Sequence, residues 1–165
     1  MHLQRLRRAS LALALTSLAA CGGSTDPQAA LAEGHRALGS NDNIAAAKSY
    51  EAALANASGA QIAQAKLGLA KATAAINPNT SKAHALDLIE NHADTVTDTM
   101  IYDVADRLRQ NAHFDVATDL LERGKSLYPD SKALDELGIK LANQASTSSD
   151  PALLERLKGL GYLGD

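Results

Sequence analysis

A small residue recurs about every three dozen positions along this 165-residue chain. Gly34 and Gly68 lie 34 positions apart. Ala105 follows Gly68 after 37 positions, and Gly138 follows after another 33. Each of these residues lies midway along a segment whose apolar residues recur at helical spacing. Small side chains at such places let two helix backbones approach closely. Because periods of roughly 20 to 50 residues are typical of solenoids, the spacing predicts stacked helical hairpins.

The helices that would follow these small residues carry a second regularity. Offsets of 12, 16 and 19 positions from Gly34 lead to a small, a large and a small residue, and the same offsets from Ala105 repeat the pattern. The six residues are Ala46, Tyr50, Ala53, Ala117, Leu121 and Gly124. The large residue is expected to fill the space between one hairpin and the next, because protein interiors are closely packed.

This arrangement resembles the tetratricopeptide repeat, most closely in residues 30–58 and 102–130, and more loosely over 27–145. The middle unit departs from the pattern, with an insertion around Pro78 and no aromatic residue in its second helix. The resemblance implies an all-α fold, a right-handed α-α superhelix of about three and a half hairpins followed by a short C-terminal helix. An all-α bundle without the superhelical stack is the alternative.

Capping residues predict where several helices begin. Asp26 and Asp150 each precede a proline, a pair that suits the first turn of a helix. In the middle unit, residues 77–80 (Asn-Pro-Asn-Thr) predict a break, and Ser81 is expected to cap the next helix. Residues 146–149 (Ser-Thr-Ser-Ser) predict a polar linker. Residues 146–165 would then form a linker and an amphipathic C-terminal helix and tail.

Residues 1–20 have the composition of a secretion signal. Three arginines and no acidic residue lie within residues 1–8, and a short apolar stretch follows. A charged start, a short apolar stretch and small residues before a cleavage site are typical of a signal peptide. The apolar stretch is too short for a membrane span, which needs about 20 residues.

Cys21, the only cysteine, follows Leu-Ala-Ala at residues 18–20. This sequence resembles a bacterial lipobox, which implies cleavage before Cys21, lipidation of its sulfur and a short flexible tether over residues 21–26. Gly22 follows the cysteine where an aspartate commonly signals retention at the inner membrane. The resemblance therefore implies an anchor in the outer membrane, facing the periplasm. An ordinary signal peptide with a chance cysteine is the alternative.

Composition and motifs argue against several classes of function. A formal net charge of −3 gives no basic excess for binding nucleic acid. One cysteine excludes an internal disulfide. There is no nucleophile elbow and no glycine-rich phosphate loop. His84 and His92 would supply two ligands where a structural zinc site needs three or four converging ones. We therefore predict a protein that is not an enzyme and needs neither metal nor cofactor.

Stacked hairpins leave a concave surface, lined by the first helix of each pair, that suits an extended peptide or a partner helix. Residues at fixed offsets from the mid-helix small residues are expected to face it. These candidates are Leu31, His35, Leu38, Leu69, Tyr102, Asp106 and Arg109. Several of them belong to the core under the alternative interpretation. The sequence thus predicts an interaction adaptor or scaffold for a protein or peptide partner in cell-envelope assembly or secretion.

The C-terminal segment allows two interpretations. Leucines at positions 153, 154, 157 and 160 form an apolar stripe, and Tyr162 and Leu163 follow it. Either this helix folds back over the last hairpin, or Tyr162 and Leu163 dock on a partner, as exposed apolar groups do. In the first case an accessory structural lipoprotein that covers its own groove is an alternative function. A periplasmic enzyme or metal-binding protein is a further, less favoured one.

Overall fold

A computed structural model describes residues 26–148 and 150–163, and within these residues it contains helices and no strand. The prediction of an all-α fold is confirmed. Eight helices lie in the part of the chain that the structure describes: α1 Pro27–Gly39, α2 Asn43–Leu54, α3 Ala60–Thr73, α4 Pro78–Asn91, α5 Asp98–Gln110, α6 Phe114–Leu127, α7 Lys132–Ser148 and α8 Pro151–Gly159. Short connections join consecutive helices into four hairpins.

The hairpins pack in sequence order. The first helices α1, α3, α5 and α7 contact one another in that order, and the second helices α4, α6 and α8 do the same. Each hairpin after the first therefore adds to the open side of the preceding one. This consecutive packing is consistent with the predicted superhelix of helical hairpins.

Helix α4 begins at Pro78, so the prediction that Ser81 caps this helix is wrong. Asn77 is the capping residue, and its side chain accepts a hydrogen bond of 3.2 Å from the Thr80 amide. Asn77 followed by Pro78 therefore repeats the Asp-Pro start of α1 and α8. Ser81 lies within the helix and is buried, and its hydroxyl donates a 2.7 Å hydrogen bond to the Ala70 carbonyl of α3.

The polar stretch at 146–149 is mostly helical, which differs from the predicted linker. Helix α7 continues to Ser148. The hydroxyl of Ser146 donates to the Ala142 carbonyl at 2.9 Å, and that of Thr147 donates to the Gln144 carbonyl at 2.7 Å. Serine and threonine inside a helix satisfy their hydroxyls in this way. The connection to α8 is correspondingly short.

The ring of Tyr50 lies between the first and second hairpins. Tyr50 is completely buried, and an added Cβ at Gly34 would lie 2.7 Å from the ring. An added Cβ at Gly68 would lie only 2.3 Å from it. Real Cβ atoms do not approach a ring so closely, so both positions need glycine. The predicted role of the small residues, close approach of helices around a large side chain, is confirmed here.

Helix α3 belongs to two separate clusters of buried side chains. One cluster joins it to α1 and α2, and the other joins it to the following hairpins. The α3 residues in the first cluster are Ala65, Leu69 and Ala72, and those in the second are Ala63 and Ala70, with Ala74 directly after the last residue of α3. Alanine dominates both faces, which lets α3 approach its neighbours on both sides.

A chain of ion pairs links the second helices. Asp119 of α6 accepts hydrogen bonds from Lys82 of α4 at 2.8 Å and from Arg156 of α8 at 2.7 Å. Arg156 also donates to Glu122 at 2.9 Å. Burial opposes ionisation of Asp119, but the hydrogen bonds from Lys82 and Arg156 hold the pKa of this carboxyl below its ordinary value. Asp119 is therefore ionised at neutral pH and ties α4 to α8.

Candidate functional site

The first helices α1, α3 and α5 line two adjoining clefts, which together we call the trough. The smaller cleft has a volume of about 90 Å³ and lies between α1 and α3. The larger has a volume of about 230 Å³ and lies mainly between α3 and α5. Leu38 and Lys71 border both clefts, so the two clefts adjoin. Its lining comprises His35, Leu38, Tyr50, Gln64, Leu67, Gly68, Lys71, Tyr102, Asp103, Asp106, Arg107 and Gln110.

The smaller cleft has a largely apolar lining. Leu38 and Leu67 are partly exposed there, and Gly68 contributes no side chain. Tyr50 reaches the cleft with its hydroxyl, which lies 2.8 Å from Nδ1 of His35. Burial raises the pKa of Tyr50, and the charge of Arg107 opposes this only in part. The hydroxyl therefore keeps its proton at neutral pH and shares a hydrogen bond with the imidazole.

Two ion pairs involve carboxylates of the larger cleft. Lys71 of α3 binds Asp103 of α5, with 2.5 Å between Nζ and Oδ2. Arg109 binds Asp106 one helical turn away on α5, at 2.7 Å between Nε and Oδ1. Burial opposes ionisation of Asp106, but hydrogen bonds from Arg109 and Gln110 hold its pKa below the ordinary value. Both carboxylates of the cleft thus have a basic partner.

Arg107 differs from the other charged groups of the trough. Its Nη2 donates a 2.9 Å hydrogen bond to the side-chain oxygen of Asn43 on α2. Its Nε is buried and has no hydrogen-bond partner. Within residues 26–148 and 150–163, no carboxylate forms an ion pair with this guanidinium. Arg107 therefore brings a positive charge to the trough, and the acceptor of its hydrogen bond is a neutral oxygen.

Side-chain bridges join α5 to α7. Lys140 of α7 donates to the hydroxyl of Tyr102 at 2.8 Å, and Arg109 donates to Gln144 of α7 at 2.9 Å. Hydrogen bonds with Glu136 and Tyr102 raise the pKa of Lys140, so the amine stays charged. Because these bridges cross the space between α5 and α7, the trough lies on α1, α3 and α5.

The predicted groove residues divide into two groups. His35, Leu38, Tyr102 and Asp106 line the trough, and Arg109 lies beside it in its pair with Asp106. Leu31 and Leu69 lie in the core instead, with exposures of 1% and 2%.

Leu31 of α1 packs in the cluster that joins α1 to α2 and α3, and the orientation of α3 is the physical reason why Leu69 is buried. Gly34 and Gly68 contact the same Tyr50 ring from different hairpins, so they do not occupy equivalent faces of their helices. Equal offsets from the two glycines consequently point to different surroundings. The face of α3 that lines the trough carries Gln64, Leu67 and Lys71, none of which the offsets selected. Reading α3 for its polar residues at helical spacing would have found two of the three.

Tyr162 packs against the last hairpin. An added Cβ at Gly138 would lie 2.2 Å from the tip of its ring, and its hydroxyl donates to Asp135 at 3.0 Å. Burial and the Asp135 carboxylate raise the pKa of Tyr162. Leu163 is half-buried against the larger core cluster. These positions correspond to the first interpretation, in which the segment folds back, while docking of the two residues on a partner stays a prediction.

Within the described ranges, no three His, Cys, Asp or Glu side chains are grouped so that they could hold a metal ion. Burial is the main cause that lowers the pKa of His84. The neighbouring Asp87 forms an ion pair with Lys66. His92 follows the last residue of α4 and caps it.

The predicted signal peptide and Cys21 lie outside the described residues. Among the helices of the part that is described, none has both the length and the apolar character required to cross a membrane. No protein-family model, curated protein or solved structure matches the chain significantly. The lipobox and tetratricopeptide resemblances therefore rest on the sequence patterns.

Proposed function

We propose that this protein is a non-enzymatic adaptor that binds an extended segment of a partner protein in the trough. A lipid on Cys21 would hold it at the bacterial outer membrane, facing the periplasm. The observation that carries the binding proposal is the pair of adjoining clefts along α1, α3 and α5, with both apolar and charged groups in their lining. The lipid anchor rests on the lipobox resemblance.

The dimensions of the trough favour a peptide over a compact small molecule. Small-molecule sites usually enclose about 300–1,000 Å³ in a single cavity, whereas the trough divides its volume between two clefts of about 90 and 230 Å³. Each cleft suits one or two side chains. Packed helices lie about 8–10 Å apart, and an extended chain advances about 3.3 Å per residue. Side chains two or three residues apart would therefore reach the two clefts together.

The predicted tether links this binding surface to the membrane. The tether at residues 21–26 is short, and an extended chain spans at most about 3.3–3.6 Å per residue. The hairpins would stay within about 20 Å of the lipid surface, where they could gather components of an envelope assembly or secretion system. No nucleophile or acid-base pair in the trough suggests chemistry on the bound segment.

A self-covered groove has less support as a second function. Tyr162 packs on α7, and residues 150–163 contribute no side chain to either cleft of the trough. An accessory lipoprotein that blocks its own groove would need its C-terminal segment over α1, α3 and α5. The enzyme and metal-binding alternatives likewise gain no specific observation.

Site-specific photo-crosslinking in cells tests the binding proposal. A photoreactive residue at Gln110, exposed at the trough, is compared with one at Lys48, exposed on α2. We expect a discrete crosslinked protein from position 110, absent from position 48 and lost when Leu38→Asp is added. Identical products from both positions, or none at position 110, would contradict binding in the trough.

Fractionation of cells expressing Cys21→Ser tests the anchor. We expect the wild-type protein in the outer-membrane fraction, labelled by radioactive palmitate, and the variant unlabelled in the soluble fraction. A variant that remains equally membrane-bound would refute the lipid anchor and leave the trough unaffected.

A further inference from the structure

The surroundings of Arg107 indicate which kind of segment the trough would bind. The other cationic side chains at the larger cleft are neutralised by neighbours: Lys71 by Asp103, and Arg109 by Asp106. The guanidinium of Arg107 has the neutral oxygen of Asn43, 2.9 Å from Nη2, as its hydrogen-bond acceptor. Its Nε is buried and unpaired. A partly buried charge without an opposite charge is unfavourable, and a carboxylate removes the penalty.

The existing ion pairs decide which charge a ligand should carry. A cationic ligand would have to displace Lys71 from Asp103 or Arg109 from Asp106 before it met a free carboxylate. An anionic ligand meets Arg107 without breaking either pair. His35, in the smaller cleft, already shares a hydrogen bond of 2.8 Å with Tyr50. Charge complementarity therefore favours an acidic side chain in the larger cleft.

The smaller cleft favours a different kind of side chain. Leu38 and Leu67 supply apolar surface, and Gly68 contributes no side chain. A volume of about 90 Å³ is close to that of a branched aliphatic side chain. The two clefts meet at Leu38 and Lys71, so neighbouring side chains of one extended segment can enter both.

We propose that the segment bound in the trough carries an aliphatic residue and, two or three positions away, an aspartate or glutamate. The aliphatic side chain enters the smaller cleft beside Leu38 and Leu67, and the carboxylate pairs with Arg107. This inference rests on the proposed function and specifies the chemistry of its partner.

An oriented peptide library tests the inference with the full-length lipidated protein in detergent. The library consists of N-acetylated, C-amidated octapeptides with leucine fixed at the centre and the other positions degenerate. Blocked ends ensure that any acidic preference comes from side chains. We expect enrichment of Asp and Glu two or three positions from the leucine by roughly fivefold, the factor that about 1 kcal/mol corresponds to.

Three variants distinguish an effect of the Arg107 charge from an effect on the folded structure. Arg107→Gln should abolish the acidic enrichment, and Arg107→Lys should keep most of it. Arg123→Gln removes an arginine exposed on α6 and should change nothing. Thermal unfolding of each variant confirms that it is folded, and the lysine variant retains the test if the glutamine variant unfolds.

The outcomes distinguish this inference from the proposed function. Retention of peptides without acidic enrichment, or an enrichment unchanged in Arg107→Gln, overturns the inference and leaves peptide binding intact. Enrichment of lysine or arginine overturns it as well. Failure of the wild-type protein to retain any peptide overturns both.

Discussion

Replacing Gly68 by alanine should destabilise the protein although alanine is the better helix former. Alanine favours a helix interior over glycine by about 0.8–1.0 kcal/mol. At Gly68, however, the new methyl group would lie 2.3–2.5 Å from three atoms of the Tyr50 ring. Carbon atoms in contact sit about 3.5–4.0 Å apart, so the ring or helix α3 must move by about 1 Å.

The ring of Tyr50 has no free direction in which to move. It is completely buried, and on the α1 side a Cβ added at Gly34 would also lie too close, at 2.7 Å from the ring. Overpacking of this kind costs about 1–3 kcal/mol. We take the upper end of the overpacking range and subtract the gain in helix propensity. Gly68→Ala should then lower the free energy of unfolding by about 2 kcal/mol.

Urea unfolding followed by circular dichroism measures this loss. Gly39→Ala is the matched control, because an added Cβ at Gly39, the last residue of α1, meets nothing within 4 Å. It should be neutral or slightly stabilising. A double-mutant cycle with Tyr50→Leu isolates the contact, and its coupling energy should exceed about 1 kcal/mol. If Gly68→Ala is as stable as Gly39→Ala, the ring does not occupy the glycine space and the packing argument fails.

Three further predictions concern other contacts. Gly138→Ala should lower the free energy of unfolding by about 1 kcal/mol or less, because the half-buried Tyr162 can swing away. In a protein that already carries Tyr162→Ala, adding Gly138→Ala should cost nothing. Increased cleavage of the C-terminal segment by protease would report the displacement of Tyr162. Tyr50→Phe should cost about 1 kcal/mol through loss of the hydrogen bond to His35, measured by urea unfolding; an unchanged midpoint would contradict it. Because folding lowers the pKa of Asp119, its ionised carboxylate stabilises the folded protein at pH values above the ordinary pKa of 3.8. This stabilisation is lost as the pH falls through the folded-state pKa. Asp119→Asn should therefore be less stable at neutral pH and lose less between about pH 5 and about pH 2, and equal slopes would contradict it.

The sequence predicted the elements that local chemistry controls. Proline after a capping Asp marks the starts of α1 and α8, and the small residues at Gly34 and Gly68 mark the close helix approaches. The same capping signal was present at Asn77 and Pro78. It was outweighed by Ser81, a good capping residue whose hydroxyl serves α3 instead.

The trough could be predicted only in part because helix rotation is a tertiary property. Fixed offsets from a glycine hold only if every glycine faces the same kind of neighbour. Gly34 and Gly68 share one ring, so the offsets placed Leu69 on the surface although it is buried. Arg107 was missed for a related reason: its significance comes from the absence of an acidic partner, which depends on how Asp103 and Asp106 are paired.

The division of α3 between two clusters has a consequence for local opening. Hairpin α1/α2 could separate from one face of α3 while the other face stays packed on the later hairpins. Sub-global units of this kind open at a lower free energy than the whole domain, so amide hydrogens in α1 and α2 should exchange faster than those in α5. Since α1 supplies His35 and Leu38 to the trough, a bound segment that touches both α1 and α5 would close this opening. The fraction of protein with a bound segment and the slowing of amide hydrogen exchange in α1 and α2 would then measure the same binding equilibrium.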